Sequence, residues 1–173
     1  MAIVYSSRLD AEEHGFHPLA TVLLPLFALL LQVYLPRLFR GFSLFDLPLI
    51  VTIFFAVARR NPIAGTITGA IIGLLQDALA GLPIGMNGIA KSIVGFLAAS
   101  IGVRLDVENS GTRFLLNFGF TILASLIYIA ISRVLLGTES AIIWTHELIR
   151  ALANALLAVP LFLLMDYTKR SRG

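Results

Sequence analysis

The chain has 173 residues, 58% of them hydrophobic and 13% charged, with a mean hydropathy of +0.90. A soluble domain carries about 25% charged residues, so this chain lacks the charge to cover a water-facing surface. The net charge of +3 fits basic residues near lipid headgroups and is not read as nucleic-acid binding, while the absence of cysteine excludes disulfides, thiolate metal sites and a thiol nucleophile.

The apolar residues come in long runs, not in the alternating segments of about ten residues that make a membrane β-barrel. Lipid admits only closed barrels or helices, because every backbone polar group must be satisfied internally. The expected fold class is therefore all-α: a polytopic integral membrane helix bundle of about six transmembrane helices. Residues 18–167 should form its single domain.

Residues 1–17 are mixed and acidic, without the basic start and apolar core of a cleavable signal. They are expected to stay attached as a cytoplasmic segment. A hydrocarbon core of about 30 Å takes roughly 17–25 apolar residues per helix. The first span is expected over Pro18–Pro36 and the second over Phe42–Ala58, with Asp46 near its start. The third covers Pro62–Ala80, carries Asp77 near its end, and starts on a proline suited to a first helical turn. The fourth covers Asn87–Val103 with Lys91 near its start, the fifth Phe114–Ile131, and the sixth Ile142–Tyr167, followed by a basic tail at 168–173. Trp144 and Tyr167 suit the two interfaces of the membrane.

Orientation follows the basic residues. The side of the termini collects Arg8, Arg59, Arg60, Arg104, Arg113, Lys169, Arg170 and Arg172, against Arg37, Arg40 and Arg133 on the other. Both termini are expected in the cytoplasm.

On the third span Gly65, Gly69, Gly73, Asp77 and Gly81 recur every four residues and so share one helix face. Such a face lets another backbone come close, which matters where lipid supplies no hydrophobic drive for association. It serves either packing inside the bundle or the seating of a partner helix. Gly88, Lys91, Gly95, Ala99 and Gly102 form a matching stripe on the fourth span, so the two should make a tight pair. The intervening Gly81-Leu-Pro-Ile-Gly85-Met-Asn-Gly88 reads as a turn. At about 1.5 Å per residue, Asp77 and Lys91 each lie about 5–6 Å inside their helix ends. Either a salt bridge between them fixes the hairpin, which is the expectation, or one of them faces a partner protein or ligand.

The sixth span opens with His146, Glu147 and Arg150, followed by Asn154. Glu147 with Arg150, and Arg150 with Asn154, share a face. Together with Asp77 and Lys91 they are expected to form an outer-leaflet polar cluster. In it Glu147 and Arg150 pair with each other, or with Lys91 and Asp77 respectively. His14 and His17 fall on the opposite side, so a metal site is not expected, nor is any other cofactor. No phosphate-binding glycine loop, Ser/His/Asp set or HExxH stretch is present, and the chain is expected not to be an enzyme.

From Pro62 to Lys91, the run of Gly65, Gly69, Gly73-Leu-Leu-Gln-Asp77, Gly81, Gly85-Met-Asn-Gly88 and Lys91 resembles the MreD family of rod shape-determining proteins. The likeness covers about forty residues, to Gly102; the segment before Pro18 is longer and more charged than in compact members. It implies a non-enzymatic inner-membrane subunit of the bacterial cell-elongation complex, supporting lateral peptidoglycan synthesis and cell shape. The implied partners are the single-span coiled-coil protein MreC, the filament protein MreB, a multi-span glycosyltransferase and a penicillin-binding transpeptidase. The family is also similar in fold to the S components of energy-coupling-factor transporters. A small-molecule-binding subunit of a vitamin transporter is thus the alternative.

Overall fold

Three short polar side chains mark where helices begin. Asp46, Asn61 and Asn109 each stand just before a helix and accept a hydrogen bond from a first-turn amide, satisfying a donor the helix itself cannot. The computed structural model describes residues 18–105, 107, 109–137 and 143–167, so the segment 1–17, the expected sixth-span start at Ile142 and the tail at 168–173 lie outside the described residues. The helices are α1 (Pro18–Leu38), α2 (Leu47–Arg59), α3 (Pro62–Ala80), α4 (Met86–Gly102), α5 (Ser110–Leu136) and α6 (Trp144–Asp166), with a 3-10 helix at Arg40–Leu44. No strand occurs among the described residues.

The α2 helix is the axis of the bundle. Eleven of its 13 residues are buried, as expected of a helix that is apolar on every side. It touches α1, α3, α4, α5 and α6, and Phe54 meets Phe162 of α6 edge-to-face at 5.2 Å. Among the described residues five segments are long and apolar enough to cross a membrane, namely Leu19–Leu38, Gly41–Arg59, Pro62–Ala80, Ser110–Leu136 and Trp144–Asp166. Met86–Gly102 is apolar but shorter. It nevertheless runs antiparallel to α3, because Gly65, Gly69 and Gly73 face the backbone carbonyls of Gly95, Lys91 and Asn87 in that order.

That contact answers the purpose of the glycine stripe. A Cβ on Gly69 or Gly73 would run into the α4 backbone itself, which cannot rotate aside as a side chain can. The face is occupied by the chain's own α4 and is not an open seat for a partner helix. Gly95 returns the contact against the Gly65 carbonyl, and Gly102 meets Val57 of α2. Gly81 and Gly85 have no such role: their φ angles of 66° and 105° belong to the turn, where a glycine carries no Cβ penalty.

Two helix boundaries differ from expectation for physical reasons. The second span is not one helix from Phe42; it breaks at Phe45–Asp46, where Asp46 caps the new helix and Pro48 follows in its first turn. The fifth helix extends past the apolar run at both ends and takes in Arg113 and Arg133, which hydropathy assigns to loops. Arg113 is buried there, 2.7 Å from Asp166 Oδ2 of α6. It also donates from Nε to the Val107 carbonyl and lies 5.7 Å from the Phe162 ring.

Candidate functional site

The charged residues singled out in the sequence do converge on one end of the bundle, around a residue left outside the expected cluster. Asp46 sits at the start of α2, with 3% of its surface exposed. Its Oδ1 accepts from Leu49 N at 3.1 Å, and its Oδ2 lies 2.9 Å from Lys91 Nζ and 3.6 Å from the Arg150 guanidinium. A carboxylate this deep needs compensation, because an isolated buried charge is expelled from a low-dielectric interior. Lys91, equally buried, supplies most of it.

The expected Asp77–Lys91 salt bridge is therefore corrected. Asp77 spends its carboxylate on the turn and the start of α4: Oδ2 accepts from Gly85 N at 2.9 Å, Asn87 N at 3.1 Å and Gly88 N at 3.4 Å. These amides are the unpaired donors of a helix N-terminus, where a negative charge is also favoured by the helix dipole. Asn87 stands between the two expected partners. Its Nδ2 donates to Asp77 Oδ1 at 2.7 Å, and its Oδ1 accepts from Lys91 Nζ at 3.3 Å.

The sixth helix is corrected in the same way. Arg150 reaches Asp46, and among the described residues it makes no ion pair with Asp77 or Glu147. Glu147 lies 3.6 Å from His146, an exposed residue outside the buried network. Asn154, fully buried, accepts from Asp46 N at 2.8 Å and donates to the Leu44 carbonyl at 3.1 Å and to the Arg150 carbonyl at 2.8 Å. It ties the break between the 3-10 helix and α2 to α6. From α1, Gln32 closes the same break, accepting from Leu47 N and donating to the Phe45 carbonyl.

The network thus links α1, α2, α3, α4 and α6 at one end. Asp46, Asn87 and Gln32 are its missed members. A signal for Asp46 existed: alternating span direction places the start of the second span at the same end as Asp77, Lys91 and Arg150. Among the described residues no group of three or more His, Asp or Glu could hold a metal ion. The buried carboxylates of Asp46 and Asp77 are each engaged by a cation or by backbone amides, an arrangement suited to fixing a shape.

The turn that Asp77 holds carries Leu82, Pro83 and Ile84, all exposed, with Ile84 76% accessible. A family model described as rod shape-determining protein MreD matches residues 16–168. No curated protein and no solved structure matches the chain.

Proposed function

The chain belongs to the MreD family, and from that premise we propose that it is a non-enzymatic scaffold subunit of the cell-elongation complex that binds an MreC-like single-span protein. It is a multi-pass protein of the inner membrane involved in rod-shape determination. The observation that carries the finer reading is the Asp77-held turn. A loop fixed by several backbone hydrogen bonds loses little entropy on binding, and this one presents an apolar tip at Leu82, Pro83 and Ile84. The basic residues that the sequence assigns to the opposite side, Arg8, Arg59, Arg60, Arg104, Arg113, Lys169, Arg170 and Arg172, outnumber Arg37, Arg40 and Arg133 in the loops beside the turn, which supports an outer-face position for the turn and cytoplasmic termini. An MreC-like protein would meet the turn outside the membrane. A filament of MreB type would lie on the cytoplasmic side, and the glycosyltransferase and transpeptidase within or above the bilayer.

The test is purification of the tagged full-length chain from its native membrane in mild detergent, beside an Ile84→Glu variant. An MreC-like coiled-coil protein should accompany the wild type and fall by about tenfold with the variant, as for loss of one buried apolar anchor. Equal recovery with both would remove the turn from the interface. Recovery of paired ATPases with a coupling membrane subunit would replace the scaffold by a transporter's substrate-binding component.

A further inference from the structure

The polar network leaves a remainder. At the Asp46 end of the bundle two adjoining cavities of about 230 Å³ each share Ser125, Tyr128 and Arg150. Together they enter the range of roughly 300–1,000 Å³ typical of small-molecule sites. Asp46 and Gln76 line the first, and Glu147 and Arg133 line the second. Three buried atoms in these walls have no hydrogen-bond partner among the described residues: Gln76 Oε1, Glu147 Oε2 and Arg150 Nε. Gln76 is only 8% exposed, and a buried polar group left without a partner is a rare feature that calls for one.

The three atoms define what would satisfy them. Two accept and one donates. A simple anion would suit Arg150 but meet the carboxylates of Asp46 and Glu147. A simple cation would suit Glu147 and Gln76 but meet two guanidinium groups. A molecule with a primary ammonium and a phosphate a few bonds apart serves both sets. A quaternary ammonium has no N–H to offer the two acceptors.

We propose that these cavities bind the headgroup of a phosphatidylethanolamine-type phospholipid, its ammonium on Gln76 Oε1 and Glu147 Oε2 and its phosphate on Arg150. A lipid is favoured over a free solute by the surface alongside. Leu126, Ile129 and Arg133 fall at i, i+3 and i+7 on α5, so one face passes from apolar to charged toward the cavity end. Leu126 is 38% exposed, and Leu157 of α6 lies two turns deeper than Arg150. Acyl chains on the deeper apolar surface and a headgroup at the charged end follow the same order.

The test is native mass spectrometry of the delipidated full-length protein, titrated with palmitoyl-oleoyl phosphatidylethanolamine, the corresponding phosphatidylcholine and phosphatidylglycerol, and water-soluble O-phosphoethanolamine. One saturable phosphatidylethanolamine adduct is expected, about tenfold tighter than the other lipids, with O-phosphoethanolamine weaker still. Gln76→Met should weaken that adduct by about tenfold, the scale of one lost hydrogen bond to a charged group. The Tm of the lipid-free protein should stay level or rise, since the substitution removes a partnerless polar atom. Glu147→Gln should shrink the preference over phosphatidylglycerol. The proposal is overturned by equal binding of the three lipids, or by O-phosphoethanolamine binding as tightly as the lipid. Unchanged affinity in both variants, or a lower lipid-free Tm for Gln76→Met, would overturn it equally.

Discussion

The α3–α4 pair and the α5–α6 pair meet the same difficulty, holding two helices together where lipid is as apolar as the helices are, and they meet it in opposite ways. In α3–α4 the side chains are removed. Gly65, Gly69 and Gly73 bring one backbone onto the carbonyls of the other, and the contact gains from dispersion over a long seam. In α5–α6 the side chains are kept and made polar. Arg113 and Asp166 bridge one end, while toward the other end Ser125, Tyr128, Glu147 and Arg150 stand around cavities. The first solution is rigid and has no room for chemistry. The second leaves space and unspent hydrogen-bonding groups, so it is where a ligand can enter.

The strongest way to break this contrast is to give the seam a side chain. Gly69→Leu places a branched side chain against the Lys91 carbonyl, and the loss should exceed about 5 kcal/mol, the extreme of overpacking effects. The expected readout is failure to recover a monodisperse protein; a Tm close to wild type would show that the seam can open. Lys91→Met comes next. It strands the buried Asp46 carboxylate, with the more distant Arg150 left beside it, and should cost about 3–5 kcal/mol. Adding Asp46→Asn should restore much of that loss in a double-mutant cycle, whereas simple additivity would deny the pair.

Asp77→Ala should follow at about 1–3 kcal/mol, through loss of the α4 cap and the turn, read from thermal unfolding in detergent. The smallest effect sharpens the comparison. A cycle between Asp77 and Arg150 should give a coupling within about 0.5 kcal/mol of zero, since they share no direct contact. A coupling above about 1 kcal/mol would mean that the seam and the cleft are one unit.

What the sequence shows most clearly is what depends on near neighbours in the chain. The six apolar runs appear as helices, and Asn61-Pro62 starts α3 as a cap followed by a first-turn proline should. The four-residue glycine period becomes the α3–α4 seam, because periodicity along a helix directly determines which residues share a face. The break at Asp46 is less legible. It depends on Gln32, 13 and 15 residues before the groups it binds there, and on Asn154, 108 and 110 residues after its own.

The choice of charge partners was made only by the tertiary structure. Asp77 and Lys91 are close in sequence and share a hairpin, yet Lys91 pairs with Asp46, 45 residues away. Opposite charges attract without regard to chain position, so composition alone leaves several pairings open. Asp77 is better served by the amides that begin α4, which are fixed in place and have no other partner. That leaves Lys91 to the carboxylate that α2 brings beside it. The sequence by itself determined a membrane bundle with a glycine-built hairpin, because helix and face are properties of spacing. Which charges met, and where a cavity remained between them, followed from how the other five helices packed around α2.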